Sequence, residues 1–217
     1  ILMGVGVGMV GIATQHPVLA ALGLLGALYH LLNHAVFKGL LFLGAGAVIY
    51  RVHTRDMEKM GGLGKLMPWT GLAFLIGCMS ISALPPLNGF ISEWYTYQSL
   101  FSMSHSGDFI MRLSAPIAIV MLAITGALAA MCFVKVYGIS FCGGARSEQA
   151  AQAREVPWPM TLSMLLLALL CILLGAGASV VAPIISSVAT TLVTTHPITV
   201  SEGLLLVPAQ ASQAMLS

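Results

Sequence analysis

His30, His34 and Lys38 recur at four-residue steps inside the apolar run ALYHLLNHAVFKGLLFLGAGAVIY. Four residues of α-helix turn by about 400°, so the three side chains form a ladder on one helix face. Imidazole titrates near neutrality and hands a proton between two ring nitrogens. A buried base whose hold on its proton a neighbouring charge can bias is the physical requirement of a pump element. Three such groups in register therefore suggest a path for protons. The blander reading is a pair of satisfied core histidines and a lysine held in a structural ion pair. The depth of Lys38 weighs against that reading. It lies 13 residues before Arg51, about 20 Å along the helix, too far for easy snorkelling. On insertion scales a lysine at mid-membrane costs about 2.5–3.5 kcal/mol.

The surrounding chain must be a membrane protein for this argument to hold, and its composition says so. It is 58% hydrophobic and 7% charged, against about 25% charged for a soluble domain, with a mean hydropathy of +0.96. The net charge of +2, with no basic run interleaved with aromatics, excludes nucleic acid as a partner. The four cysteines, Cys78, Cys132, Cys142 and Cys171, stand in no metal-ligand spacing. They read as small buried hydrophobes, so the chain encodes no zinc or iron–sulfur site. The chain opens at Ile1 in an apolar run without a charged leader, and so reads as an internal or truncated piece of a longer protein.

A span needs about 20 apolar residues of helix. Spans are expected at 1–13, 18–50, 67–103, 110–141 and 157–182, with 183–217 as an outer-face loop or an incomplete tail. The third is interrupted by ALPPLNGF. Pro85 and Pro86 remove two backbone donors, and Asn88-Gly89 permits a turn, so a helix break is expected near 84–89. Backbone exposed by a break survives at membrane depth only under cover of protein or water, and transporters use such breaks to aim half-helices at ions. The alternatives are a short re-entrant turn at the membrane surface and a plain interhelical loop. Arg51, Arg55, Lys59 and Lys65 fall in loop 51–66, and Arg146 and Arg154 in loop 142–156. A single broken crossing by 67–103 puts both loops on one side, which the positive-inside rule makes cytoplasmic.

Setting loop charges aside leaves Lys38, Glu93 and Lys135 in the membrane. Glu93 follows the break within two turns and is a candidate partner for Lys38 or for a neighbouring chain. Lys135 is 11 residues before Arg146, near enough to the surface for snorkelling to compete with function.

The run HLLNHAVFKGLLFLGAGAVIY followed by HTRDMEKMGGL resembles the antiporter-like membrane subunits of respiratory complex I and the Mrp-type cation/proton antiporters. SALPPLNGFISEWYTYQSL and CFVKVYGISFCG resemble the group-4 membrane-bound hydrogenases, in the formate hydrogenlyase/hydrogenase-4 branch. The resemblance covers about residues 1–182. It implies an all-α polytopic membrane protein, with this chain supplying most of the second of two inverted five-helix repeats and its discontinuous helix. His30, His34 and Lys38 match the family's central relay, Glu93 its charged position after the break, and Lys135, less closely, a basic position on the next helix. The first repeat, with its own glutamate–lysine pair, is not in this chain.

The resemblance further implies a non-redox subunit of a hydrogenase-like or NADH:quinone oxidoreductase-like complex in the bacterial cytoplasmic membrane, translocating H⁺ or Na⁺. The chain itself carries no cofactor on this reading. Partner membrane and hydrophilic subunits would hold the nickel–iron (NiFe) site and the iron–sulfur clusters. A stand-alone Mrp-type antiporter subunit and a non-conducting membrane anchor remain as alternatives.

Overall fold

The computed structural model describes residues 1–193; positions 194–217 of the expected tail lie outside the described residues. Those residues form nine α-helices and no strand. They are α1 (Leu2–Ala13), α2 (Pro17–Val52), α3 (Leu63–Leu66), α4 (Pro68–Ile81), α5 (Asn88–Ser104), α6 (Phe109–Phe141), α7 (Glu148–Ala151), α8 (Trp158–Ala176) and α9 (Ala178–Val193). Among them α2, α6 and α8 are long and apolar enough to cross a membrane, while α1, α4 and α9 are shorter apolar helices.

The chain forms two compact units. One contains Ile1–Leu32, Ile91–Ala123 and the chain from Ala176. Its core gathers Val7, Leu19, Leu100, Met103, Met111 and Ala115 from α1, α2, α5 and α6. Here α1 lies directly on α2, with Gly4, Gly8 and Gly11 facing Ala20, Gly23 and Ala27. Small residues at such a seam let two backbones approach, which is how helices associate where lipid removes the hydrophobic incentive.

The other unit holds Asn33–Phe90 and Ile124–Gly175. Its loops meet. The Gly62 amide donates to the Cys142 carbonyl at 2.9 Å, and the Ser147 hydroxyl to the Lys59 carbonyl at 2.7 Å. The Arg51 guanidinium donates to the Glu155 carbonyl. Segments 51–66 and 142–156 therefore occupy one end of this unit.

That contact also completes α4. No neighbouring side chain caps its N-terminus, where Pro68 needs no donor partner. Glu155 does it from a distance. Its carboxylate accepts from the Trp69 and Thr70 amides at 2.9 and 3.3 Å and from the Thr70 hydroxyl at 2.5 Å. A carboxylate on the first-turn amides satisfies orphan donors and complements the helix dipole.

The chain's last described part differs from the expected single span at 157–182. The GAGA run at 175–178 ends α8, and the Val180 and Val181 amides open a new helix on the Gly177 carbonyl. Residues 183–193, expected in a loop, belong to α9. Their hydroxyls reconcile a polar composition with a helix. Ser187 donates to Ile184 O at 2.7 Å, and Thr190 and Thr191 to Ser187 O at 3.0 and 2.7 Å. Polar side chains that bond back to their own helix leave no donor for lipid to strand.

Candidate functional site

The helix break falls at residues 82–87, between α4 and α5. The end of α4 is built by Leu84 N donating to Met79 O and Ala83 N to Ser80 O, both at 3.1 Å. This is a Schellman closure, with Ala83 in the left-handed position (φ 51°) where glycine is usual. The Pro85–Pro86 peptide is cis, and Leu87 N returns to Leu84 O at 3.0 Å. The turn thus satisfies its own donors and leaves the prolines, which have none, at its tip.

Two glycines let other backbone press against this turn. A Cβ on Gly89, in the first turn of α5, would sit 1.8 Å from the Ser80 carbonyl oxygen. A Cβ on Gly175, near the end of α8, would sit 2.2 Å from the Pro86 carbonyl oxygen. The third clamp comes from α2, where Asn33 Nδ2 donates to the Asn88 carbonyl at 2.7 Å. Both asparagines are fully buried. Protein from α4, α8 and α2 therefore packs against the break, while its tip at Leu84, Pro85 and Pro86 stays exposed.

His30, His34 and Lys38 all lie on the uninterrupted helix α2, and each is partly buried. The residue that ties α2 to the break is Asn33, immediately before His34. His30 has its own link to α5, with Nδ1 3.0 Å from the Ser92 hydroxyl. The fully buried Tyr29, next to it, stacks on Tyr95 at 5.8 Å. The ring of His34 meets Phe37 edge-on at 5.4 Å. Glu93 follows Ser92 on α5, five residues after the start of that helix, and is partly buried. Pro85 and Pro86 are exposed in the turn, while Asn88 and Gly89 are buried in the first turn of α5. Lys135 is exposed on α6, six residues from its end at Phe141. Among the described residues no group of His, Cys, Asp and Glu could hold a metal ion.

Four further residues hold these elements together. Asn33 and Ser92 carry no charge, and the signal for the first is an asparagine inside the apolar run LLNHAVFK. Glu155, in loop 142–156, and Gly175, among small residues in an apolar run, have no local signal.

The chain matches the family model described as NADH:quinone oxidoreductase/Mrp antiporter, TM, over residues 4–120. It is 62% identical to hydrogenase-4 component B of Escherichia coli over 208 residues, covering 96% of this chain and 31% of that protein. It is 52% identical to formate hydrogenlyase subunit 3 of the same organism over 187 residues, 86% of this chain and 31% of that one. The chain thus spans about a third of the length of these relatives. Among solved structures, the Mrp complex of Dietzia sp. has a chain sharing this fold with a TM-score of 0.65. The identity there is 19%, covering 80% of this chain and 38% of that one.

Proposed function

The chain belongs to the NADH:quinone oxidoreductase/Mrp antiporter membrane family, and from that premise we propose that it is the ion-translocating part of a membrane subunit in a hydrogenase-4- or formate hydrogenlyase-like complex. In this reading the subunit does no redox chemistry. Lys38 is the central proton carrier, His34 and His30 extend the path along α2, and Glu93 is the coupling charge beyond the break. Lys135 serves at the end nearer the basic loops. Partner subunits hold the nickel–iron and iron–sulfur centres.

The observation that carries this reading is the bond from Asn33 to Asn88. It fastens the helix bearing the ladder to the discontinuous helix at the residue beside His34. A protonation change on α2 and a movement of the break then act on the same joint. The meeting of segments 51–66 and 142–156 supports placing both basic loops in the cytoplasm, by the positive-inside rule. The host membrane is the bacterial cytoplasmic membrane.

The test is Lys38→Met in the complete complex reconstituted into vesicles. Ion translocation driven by redox turnover is expected to vanish while assembly persists. Survival of both turnover and translocation would refute the relay. A stand-alone Mrp-type antiporter predicts something different, namely exchange driven by an imposed ion gradient without any redox partner, and that arm is measured in the same vesicles.

A further inference from the structure

The basic end of the second unit contains a cleft of about 250 Å³, lined by Tyr50, Arg51, His53, Gln152, Ala153 and Arg154. It has room for several waters at about 30 Å³ each, and so for a tetrahedral headgroup. We propose that this cleft binds the phosphate of an anionic phospholipid at the membrane surface.

Charge comes first. Two guanidinium groups and an imidazole line the cleft, and no carboxylate does. The acid that could neutralise them, Glu155, is occupied elsewhere. Its carboxylate takes the Trp69 and Thr70 amides, the Thr70 hydroxyl and, at 3.2 Å, the Val156 amide. It offers Arg51 only its backbone carbonyl. Asp56 is turned to Lys59 at 3.6 Å and to the Glu58 amide at 3.0 Å. The cleft thus keeps its positive charge.

Arg51 is also held in place. One terminal nitrogen is bonded to Glu155 O, and the guanidinium lies 5.3 Å from the Tyr50 ring centroid. A guanidinium held in this way and lining the cleft is the geometry that takes phosphate oxygens.

The position of the cleft selects the source of the phosphate. Tyr50 and Arg51 are in the last turn of the membrane helix α2. Trp69 and Trp158, 55% and 68% exposed, stand at the starts of α4 and α8, the first with its amide on the Glu155 carboxylate and the second three residues after Glu155 in the chain. Exposed Tyr and Trp at the ends of apolar helices mark the headgroup layer. Basic pockets there meet lipid phosphate at high local concentration.

The experiment uses the full-length subunit in its assembled complex, in nanodiscs carrying a photo-crosslinkable phosphatidylglycerol. Labelled peptides containing Tyr50–His53 and Gln152–Arg154 are expected. Unlabelled phosphatidylglycerol should compete, and phosphatidylcholine should not. Arg154 is exposed, so Arg154→Gln spares the fold. It should cut labelling about fivefold, the value of one cation near the surface. Arg51→Gln should cut it at least as far, with Arg51→Lys restoring part. Absence of label in these peptides, equal labelling by a phosphatidylcholine probe, or unchanged labelling of Arg154→Gln would overturn the proposal. Competition by inorganic phosphate as effective as that by phosphatidylglycerol would overturn the lipid assignment in favour of a free anion.

Discussion

Replacing Gly89 with alanine tests the geometry of the break more sharply than removing any charged group. The new Cβ would lie 1.8 Å from Ser80 O and 3.0 Å from Ser80 C. Relief requires the first turn of α5 to retreat by more than an ångström, and both partners are backbone, so no rotamer change can absorb it. The retreat is opposed on two sides. Gly175 already brings α8 against the Pro86 carbonyl, and Asn33 holds Asn88 O at 2.7 Å. Overpacking of this kind costs about 1–3 kcal/mol. Pulling Asn88 O from a buried donor adds about 1–3 kcal/mol. Together these make Gly89→Ala a substitution worth about 2–6 kcal/mol, at the severe end for a single residue. The assay is the yield and apparent melting temperature of the assembled complex carrying the full-length subunit. Gly46→Ala is the control, because a Cβ there meets nothing within 4 Å and gains helix propensity worth up to about 1 kcal/mol. If Gly89→Ala assembled and melted like Gly46→Ala, the close approach of α4 and α5 would be wrong, and with it the joint on which the functional reading rests.

Other outcomes follow from single contacts. Glu93→Gln should abolish or strongly slow ion translocation in vesicles while leaving the amount of assembled complex near wild type; loss of assembly would mark Glu93 as structural. Glu155→Ala strips the cap from α4 and should lower stability by about 1–2 kcal/mol, read as a drop in melting temperature. Glu155→Gln should cost less, because it keeps an acceptor for the Trp69 and Thr70 amides. Ala83→Gly should stabilise by about 0.5–1 kcal/mol, since φ 51° penalises a Cβ and glycine occupies that region freely. A lower melting temperature for Ala83→Gly would count against the Schellman closure.

What the sequence made legible was whatever depends on residue type at short range. The four-residue step placed His30, His34 and Lys38 on α2, and two prolines beside Asn88-Gly89 located the break. Contacts closing long loops were illegible. Glu155 reaches Trp69 across 86 residues, and nothing local to either segment announces the other. Asn33 was hidden by its neutrality, for its importance lies in which carbonyl it meets, not in its charge. The helix α9 was missed because its serines and threonines look polar until their hydroxyls are seen turned back on the helix. The family, in turn, came from whole motifs and not from composition, which leads only as far as the membrane.

The cap on α4 has a consequence for how this chain is made. During synthesis Trp69 and Thr70 leave the ribosome long before Glu155 exists. At about 5–20 residues per second, the 86-residue separation leaves the first turn of α4 with open amides for several seconds. Gly175, which closes the other side of the break, arrives later still. The break is therefore synthesised before the segment after α6 that completes it. A chain halted before Glu155 would hold its ladder but lack both the cap on α4 and the contact from Gly175.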